Sequence, residues 1–500
     1  MHKSRLLAAP ALIVLAYLVL GLTNVATRTP WCDEGWFGNP AYNLAYKGFM
    51  GTTVLDPASS TWKSVKLTGI DRHTYWVMPL SLLANAAGFR LFGYSIYSMR
   101  LLSLLWGLLA LAAFCAILWK LTGRPLLAFG GAGLIAIDYH FLMQASDGRM
   151  DAMALALGWS GVAAYLLLRE RSFLQAVAVS HAFAAIAFFT HPNAVMPALI
   201  LAATTLYFDR SKVRLGTVAI AALPYLLVGA GWAIYIAQSP ADFVTQFLGN
   251  AGGRGPTITT PLAALRLEIT HRYMDNFGLA PWSTWSGRLN LIPLVIFFAA
   301  VVLCLVVREI RRDPAFRLVL LWTAIVLFFL TELEGLKTHF YLIYLTPLFS
   351  ILLAAAVAWV WQKRPRWRVA ICGVMLLFVG LQALRTVNGA WRNRRQLAYD
   401  PAVRFMQEHV DPKAFIMGDA ALLYGLGPSW NVLDDVRLGY NSGKRPDIVV
   451  INPAWQDSLL MMQTNAPAIH AYASHLLATE YREVYNQGGY RVLVHEKRNS

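Results

Sequence analysis

Eleven apolar runs, each long enough to cross about 30 Å of hydrocarbon, recur along the chain near residues 6–26, 100–119, 126–145, 152–168, 173–190, 193–208, 215–237, 289–307, 316–333, 340–361 and 369–387. In lipid every backbone N–H and C=O must find its partner inside the protein, so runs of this length fold as helices. The composition agrees: 57% of the 500 residues are hydrophobic and 14% are charged, against about half and a quarter in soluble domains. A cytosolic enzyme is excluded, and so is a secreted disulfide scaffold. Cys32, Cys115, Cys304 and Cys372 have neither paired nor metal-type spacing, and three of them sit inside apolar runs as small hydrophobes. The first run follows Lys3 and Arg5 but lacks a small-x-small cleavage site, which makes it an uncleaved span and not a signal peptide.

The formal net charge of +16 reads as topology and not as nucleic-acid binding, because the cations fall in short clusters between apolar runs. Lys120/Arg124, Arg169/Arg171, Arg210/Lys212/Arg214, Arg308/Arg311/Arg312 and Lys363/Arg364/Arg366/Arg368 all join Lys3/Arg5 on the cytoplasmic side if residues 75–93 lie along the interface as an amphipathic helix and do not cross. The resulting parity puts loop 27–99, loop 238–288 and the tail outside. The expected organisation is a transmembrane domain, 1–387, of about 11 helices followed by a small extracytoplasmic α/β domain, 388–500. In the tail the pattern predicts helices at 401–409 and 466–480 and strands at 415–417, 447–451 and 490–494.

Three motifs on the expected outer face could carry chemistry. Thr29-Pro30-Trp31-Cys32-Asp33-Glu34-Gly35-Trp36 sets two adjacent carboxylates among aromatics where the chain leaves the first span; a helix start after Pro30, with acids favoured by the macrodipole, is the plainer reading. Ser146-Asp147-Gly148-Arg149-Met150-Asp151 places Asp147 and Asp151 four apart, as a functional pair or as a cap with a salt bridge. Glu332 to Tyr341 carries Lys337, an outer-side lysine that invites an anionic ligand or snorkels to headgroups. Arg72-His73 and Arg254, the latter in a glycine-rich loop, are further outer cations. Arg100 is expected to pair with a carboxylate such as Asp138, and His181 and His191 to be polar packing residues, since no histidine has metal-ligand spacing.

Taken with Trp76 to Gly93, Tyr97 to Ser103 and Leu336 to Pro347, these motifs resemble the GT-C superfamily of membrane glycosyltransferases, specifically the branch of protein O-mannosyltransferases and the bacterial lipid A aminoarabinose transferase. The resemblance spans most of residues 1–360. It implies a multi-pass inner (plasma) membrane enzyme, a hexosyl or pentosyl transferase, that moves a sugar from a polyprenyl-phosphate donor to a lipid, glycan or protein acceptor on the periplasmic face, with inversion. The family's catalytic base falls on Asp33, with Glu34 at the next position and Asp151 matching a second carboxylate. Lys337, Arg254, Arg72 and His73 are the candidates for the donor phosphate. Arg72-His73-Thr74-Tyr75 departs from the Lys-Pro or His-Pro-Pro that relatives often carry there.

The chemistry of the residues fits the same reaction. A positioned carboxylate that takes the proton of an acceptor hydroxyl contributes roughly a hundred- to ten-thousandfold, and a phosphate leaving group needs cations and not a strong acid. No cofactor is required, although a divalent metal could assist. The competing classes are a transporter or flippase for lipid-linked sugars, for which Asp138 and His181 would be the midplane groups, and a noncatalytic envelope scaffold acting through the tail.

Overall fold

The computed structural model describes residues 3–58, 66–254, 260–277 and 285–496. Within them eight helices are long and apolar enough to cross a membrane: Ala8–Thr27, Ile96–Thr122, Met150–Leu168, Leu215–Ile236, Arg288–Val306, Pro314–Leu333, Thr346–Lys363 and the helical stretch Pro365–His409. A ninth span results if Pro125–Ile137 and Tyr139–Ala145, bent by 67°, count as one. The two other expected runs are helical but short. Phe173–Phe188 and Val195–Asp209 have 16 and 15 residues, about 24 and 22 Å at 1.5 Å per residue, because Pro192, which lacks an N–H, opens a separate 3₁₀ turn between them. All eleven expected runs are thus helical, and among the described residues eight of them, or nine with the bent pair, have the length and composition of a full span. Residues 75–93 give a helix Pro79–Phe92 of 14 residues, below the crossing length, started by Pro79 and stopped at Gly93, whose φ of 82° disfavours any other residue.

The bend in the broken span is a capping event. Asp138 ends Pro125–Ile137 and starts Tyr139–Ala145, where its carboxylate accepts from the Phe141 N–H at 2.9 Å and from Gln382 Nε2 at 2.9 Å. His181 is likewise engaged, Nδ1 lying 3.2 Å from the Tyr225 hydroxyl. Both midplane candidates thus have local structural partners.

The chain divides into two compact units. The first comprises residues 1–24, 103–233 and 254–388. Its core runs through Phe114, Trp159 and Trp322, with ring centroids 4.6 and 5.4 Å apart, and the buried Trp322 indole N–H finds Thr204 Oγ1 at 3.0 Å. Met150–Leu168 and Phe173–Phe188 approach closely through small residues, the mode that replaces hydrophobic driving force between helices in lipid. At Gly161 an added Cβ would stand 2.8 Å from the Ser180 carbonyl oxygen. Leu215–Ile236 buries little, and its Leu226 and Ile234 are 67% and 72% exposed, as side chains solvated by acyl chains are.

The second unit comprises 25–102, 234–253 and 389–500. Helix Cys32–Lys47 packs on Pro79–Phe92. Buried Gln246 holds the loop before that helix, its amide accepting from Tyr75 N at 2.8 Å and donating to the Thr68 and His73 carbonyls at 2.8 and 3.1 Å. The tail forms a five-stranded sheet from β1 (Ile416–Met417), β2 (Val432–Leu433), β3 (Ile448–Ile451), β4 (Tyr481–Gln487) and β5 (Tyr490–His495), in the order β2-β1-β3-β5-β4. The first three strands are parallel; β5 runs antiparallel to β3 and β4. Met417, Val449, Ile451 and Leu493 meet Trp455 and Leu476 in its core. Helices Asp400–His409 and Pro467–Glu480 lie where the pattern predicts them, while β2, β4 and helix Pro453–Asn465 were not anticipated.

Gly161→Leu is expected to overpack the helix contact by about 1–3 kcal/mol and to lower the melting midpoint of the detergent-purified protein. Gly130→Ala, on a face with open space around the Cβ position, should leave it unchanged. Equal midpoints for the two variants would contradict this packing.

Candidate active site

Pro30 and the extended Trp31 start helix Cys32–Lys47, and the first turn is capped by Glu34, whose Oε2 accepts from the Trp31 N–H at 3.2 Å while its own N–H donates to the Trp31 carbonyl at 3.0 Å. The same carboxylate holds Arg100 in a fork, Nε to Oε1 at 2.6 Å and Nη2 to Oε2 at 2.7 Å, with both side chains fully buried. Arg100 also donates to the carbonyls of Val25, Arg28 and Thr29 at 3.1, 2.8 and 3.1 Å, so all five guanidinium donors are engaged. Arg100 therefore pairs with Glu34 and not with Asp138, whose carboxylate is taken by Phe141 and Gln382. Adjacent residues of similar chemistry are thereby separated. Glu34 is consumed in structure, whereas Asp33 is only half-buried, its Oδ1 3.9 Å from Cys32 Sγ.

The tail builds the wall beside this turn. An added Cβ at Gly35 would lie 2.5 Å from the backbone of Ala420 and Ala421, so only glycine admits that segment. Trp36 Nε1 donates to Asp434 Oδ2 at 2.8 Å, the same oxygen accepts from the Ala420 N–H at 3.0 Å, and Tyr424 Oη donates to the Glu34 carbonyl at 2.8 Å. Asp419 accepts from Ala421 N and Asn452 Nδ2, each at 2.8 Å. Burial, with the nearby Glu34 and Asp33 charges, pushes the Asp419 carboxyl up to about 6, and burial together with Asp419 raises Asp434 well above the usual carboxylate range. Burial, then the charges of Asp33, Asp419 and Asp434, raise the Cys32 thiol well above its ordinary value. Neither Asp419 nor Asp434 stood out in the sequence, because each needs the tail fold to meet residues some 400 positions away.

In the other unit, Asp151 opens helix Met150–Leu168 and is fully buried. Arg149 Nε reaches its Oδ2 at 2.9 Å and stacks 4.2 Å over the Phe340 ring, while Asp147 Oδ1 accepts from the Arg149 N–H at 3.1 Å. His191 was expected only to pack, yet its Nε2 faces Asp151 Oδ1 at 3.8 Å. Its Nδ1 accepts from the Asn193 N–H at 3.0 Å, which leaves the neutral ring's proton on the nitrogen facing the carboxylate. Tyr344 lies within electrostatic reach of Asp151 and Arg149, and its buried hydroxyl has no hydrogen-bond partner among the described residues.

Lys337 is held within its own loop. It adopts a φ of 54° and is 1% exposed; its ammonium donates to the Leu330 and Thr331 carbonyls at 2.6 and 2.5 Å and lies 3.4 Å from Glu268 Oε2. Arg272, missed in the sequence, pairs with Glu268 and Glu334 at 2.7 and 2.6 Å and donates to the Thr338 carbonyl. The four side chains form a buried group of two cations and two carboxylates. Burial lowers the Lys337 ammonium and raises the Glu268 carboxyl. Arg72 stands open, 70% exposed and 3.8 Å from Asp242, and His73 stacks on Tyr75 with centroids 5.6 Å apart. Arg254 ends helix Gly249–Arg254, and its side chain lies outside the described residues. Among the described residues no group of three or more His, Cys, Asp or Glu side chains could hold a metal ion.

Many apolar helices carrying a small sheet-bearing tail define a multi-pass membrane protein. No protein-family model and no curated protein sequence matches the chain. Among solved structures, ArnT from Cupriavidus metallidurans bound to undecaprenyl phosphate matches over 100% of this chain and 99% of its own, at 14% identity and a TM-score of 0.62. The apo form of the same ArnT matches over 97% of each chain at 14% identity, with a TM-score of 0.59. The apo Archaeoglobus fulgidus oligosaccharyltransferase matches at 11% identity and 0.53, over 97% of this chain and 75% of its own. The chain shares the fold of these structures.

Glu34→Gln or Arg100→Ala is expected to strand a buried charge or its partner and to cost about 3–5 kcal/mol, whereas Asp33→Asn should change stability by within about 0.5 kcal/mol; melting of the three purified variants measures this. For Asp419 and Asp434 the folded state holds protons more tightly than the unfolded chain. Their stabilising contribution is therefore complete below about pH 4 and is lost as pH rises through about 6 and above. Asp434→Asn keeps the oxygen that Trp36 and Ala420 use, so its melting midpoint should fall less than the parent's between pH 5 and pH 8. Parallel curves would contradict the assignment.

Proposed function

We propose that this protein is a glycosyltransferase that moves a sugar from a polyprenyl-phosphate-linked donor to an acceptor hydroxyl at the outer, periplasmic face of the inner membrane, with inversion. Support comes from the shared fold with ArnT, whose structure holds undecaprenyl phosphate, and from the separation of the two adjacent acids. The observation that carries the reading is that the buried Arg100 fork takes Glu34 and leaves the Asp33 carboxylate half-buried on a rigid helix start.

Asp33 is the general base in this reading. The acceptor oxygen attacks the anomeric carbon while its proton passes to Asp33; the carbon–oxygen bond to the carrier phosphate breaks, and the polyprenyl phosphate leaves with that electron pair. Charge then accumulates on the phosphate, where preformed cations stabilise it. Arg72 and His73 are proposed for this contact, Arg72 being the open cation; Arg254 and Lys337 are proposed with them, and Lys337 would have to exchange Glu268 for phosphate. Asp151, with Arg149 and His191 against it, is the second carboxylate. A charge-assisted phosphate contact contributes about 1.5–3 kcal/mol, so Arg72→Ala should weaken donor binding roughly ten- to a hundredfold.

The reading is tested by turnover of purified Asp33→Asn with a polyprenyl-phosphate sugar donor. Transfer should fall by about two to four orders of magnitude while donor affinity stays near that of the parent. Normal turnover in Asp33→Asn would remove the base from this residue.

A further inference from the structure

The hairpin between Thr346–Lys363 and Arg368–Arg392 carries a feature that sugar transfer does not use. Its turn reads Lys363-Arg364-Pro365-Arg366-Trp367-Arg368, four cations without an acid. Beside the turn the two helices and the 3₁₀ segment Pro365–Trp367 enclose a groove of about 520 Å³ lined by Trp359, Trp367, Arg364 and Arg366 over an apolar floor that includes Val360 and Ile371. No carboxylate lines it. Arg364 lies 5.5 Å from the Trp359 ring centroid, the geometry of a cation on an indole face, and among the described residues neither Arg364 nor Arg366 forms an ion pair with a carboxylate. The Trp359 indole N–H is buried with no acceptor among those residues. Just beyond the turn Val369 is 86% exposed, and further along the same helix Leu376 is 74% exposed, as lipid-facing side chains are.

Two guanidiniums without carboxylate partners and a buried indole donor without an acceptor call for an anion bearing several acceptor oxygens. The groove is far larger than a phosphate ion needs, and its floor is apolar. We propose that it binds an anionic phospholipid, the phosphodiester between Arg364 and Arg366 and the glycerol with the upper acyl chains along Val360, Ile371 and the exposed helix face. Basic pockets between spans on the cytoplasmic side have this chemistry, and the cation excess of this turn places it on that side. The site needs neither Asp33 nor the sugar-transfer reading, and it fits a structural lipid that anchors the hairpin.

The full chain, stripped of lipid in neutral detergent, is titrated with phosphatidylglycerol and with phosphatidylcholine and followed by native mass spectrometry. Phosphatidylglycerol should bind about tenfold or more tightly than phosphatidylcholine, and Arg364→Gln/Arg366→Gln should abolish that preference. Equal binding of the two lipids to the parent protein, or an unchanged preference in the double variant, overturns the proposal. Displacement of phosphatidylglycerol by equimolar inorganic phosphate also overturns it, since the occupant would then be a free anion. Should the double variant not fold, a headgroup photo-crosslinking phosphatidylglycerol on the parent protein decides the matter: adducts confined to peptides within 359–374 support the site, and adducts spread over other basic turns refute it.

Discussion

Arg100 joins three backbone carbonyls at the end of the first span to the carboxylate that caps helix Cys32–Lys47. A guanidinium taken wholly out of water is expensive unless each N–H meets an acceptor and its charge meets an opposite one. Here both conditions hold, and the geometry admits little alternative. The consequence reaches the neighbouring residue. With Glu34 fixed, the peptide that carries Asp33 is fixed too, and the tail closes on the same turn through Gly35, Trp36 and Tyr424. One ion pair thus gives two adjacent acids different surroundings, Glu34 buried against Arg100 and Asp33 half-buried.

The remaining buried charges follow the same economy of pairing. Glu268 and Arg272 from one segment and Glu334 and Lys337 from another neutralise one another, and Asp151 is flanked by Arg149 and His191. Asp419 and Asp434 differ. Asp419 raises the proton affinity of Asp434, Glu34 and Asp33 raise that of Asp419, and the pair is steadied by backbone N–H groups, Asn452 and Trp36 and by no cation among those contacts. A tail that brings such acids to the first turn of helix Cys32–Lys47 is a part of that turn's environment and not an appendage.

Much of this was legible in the sequence, and the reasons differ from case to case. Apolar runs and basic turns announced the membrane architecture because length and charge asymmetry are local properties. The runs at 173–190 and 193–208 already have their break at Pro192 in place; they form helices of 16 and 15 residues, below the usual crossing length, so run number alone does not settle the count of spans. The strands at 415–417, 447–451 and 490–494 were visible as β-branched runs; β2 is two residues long and β4 is largely exposed and polar, so neither carried a pattern. Asp33, Glu34 and Asp151 stood out as clustered acids. Their division of labour did not, because it depends on Arg100, 66 residues from Glu34. Lys337 looked like a free cation since its partner Glu268 lies in another loop, and Arg272, Asp419 and Asp434 had no local signature.

The central claim is that this fold transfers a sugar from a polyprenyl-phosphate donor. Mass spectrometry of envelope glycolipids and polyprenyl-linked sugars, from cells with and without the gene, tests it most directly. The account predicts that one glycan or glycolipid loses the mass of a single sugar residue while a polyprenyl-phosphate sugar accumulates. Unchanged profiles of both the glycans and the lipid-linked sugars would contradict it.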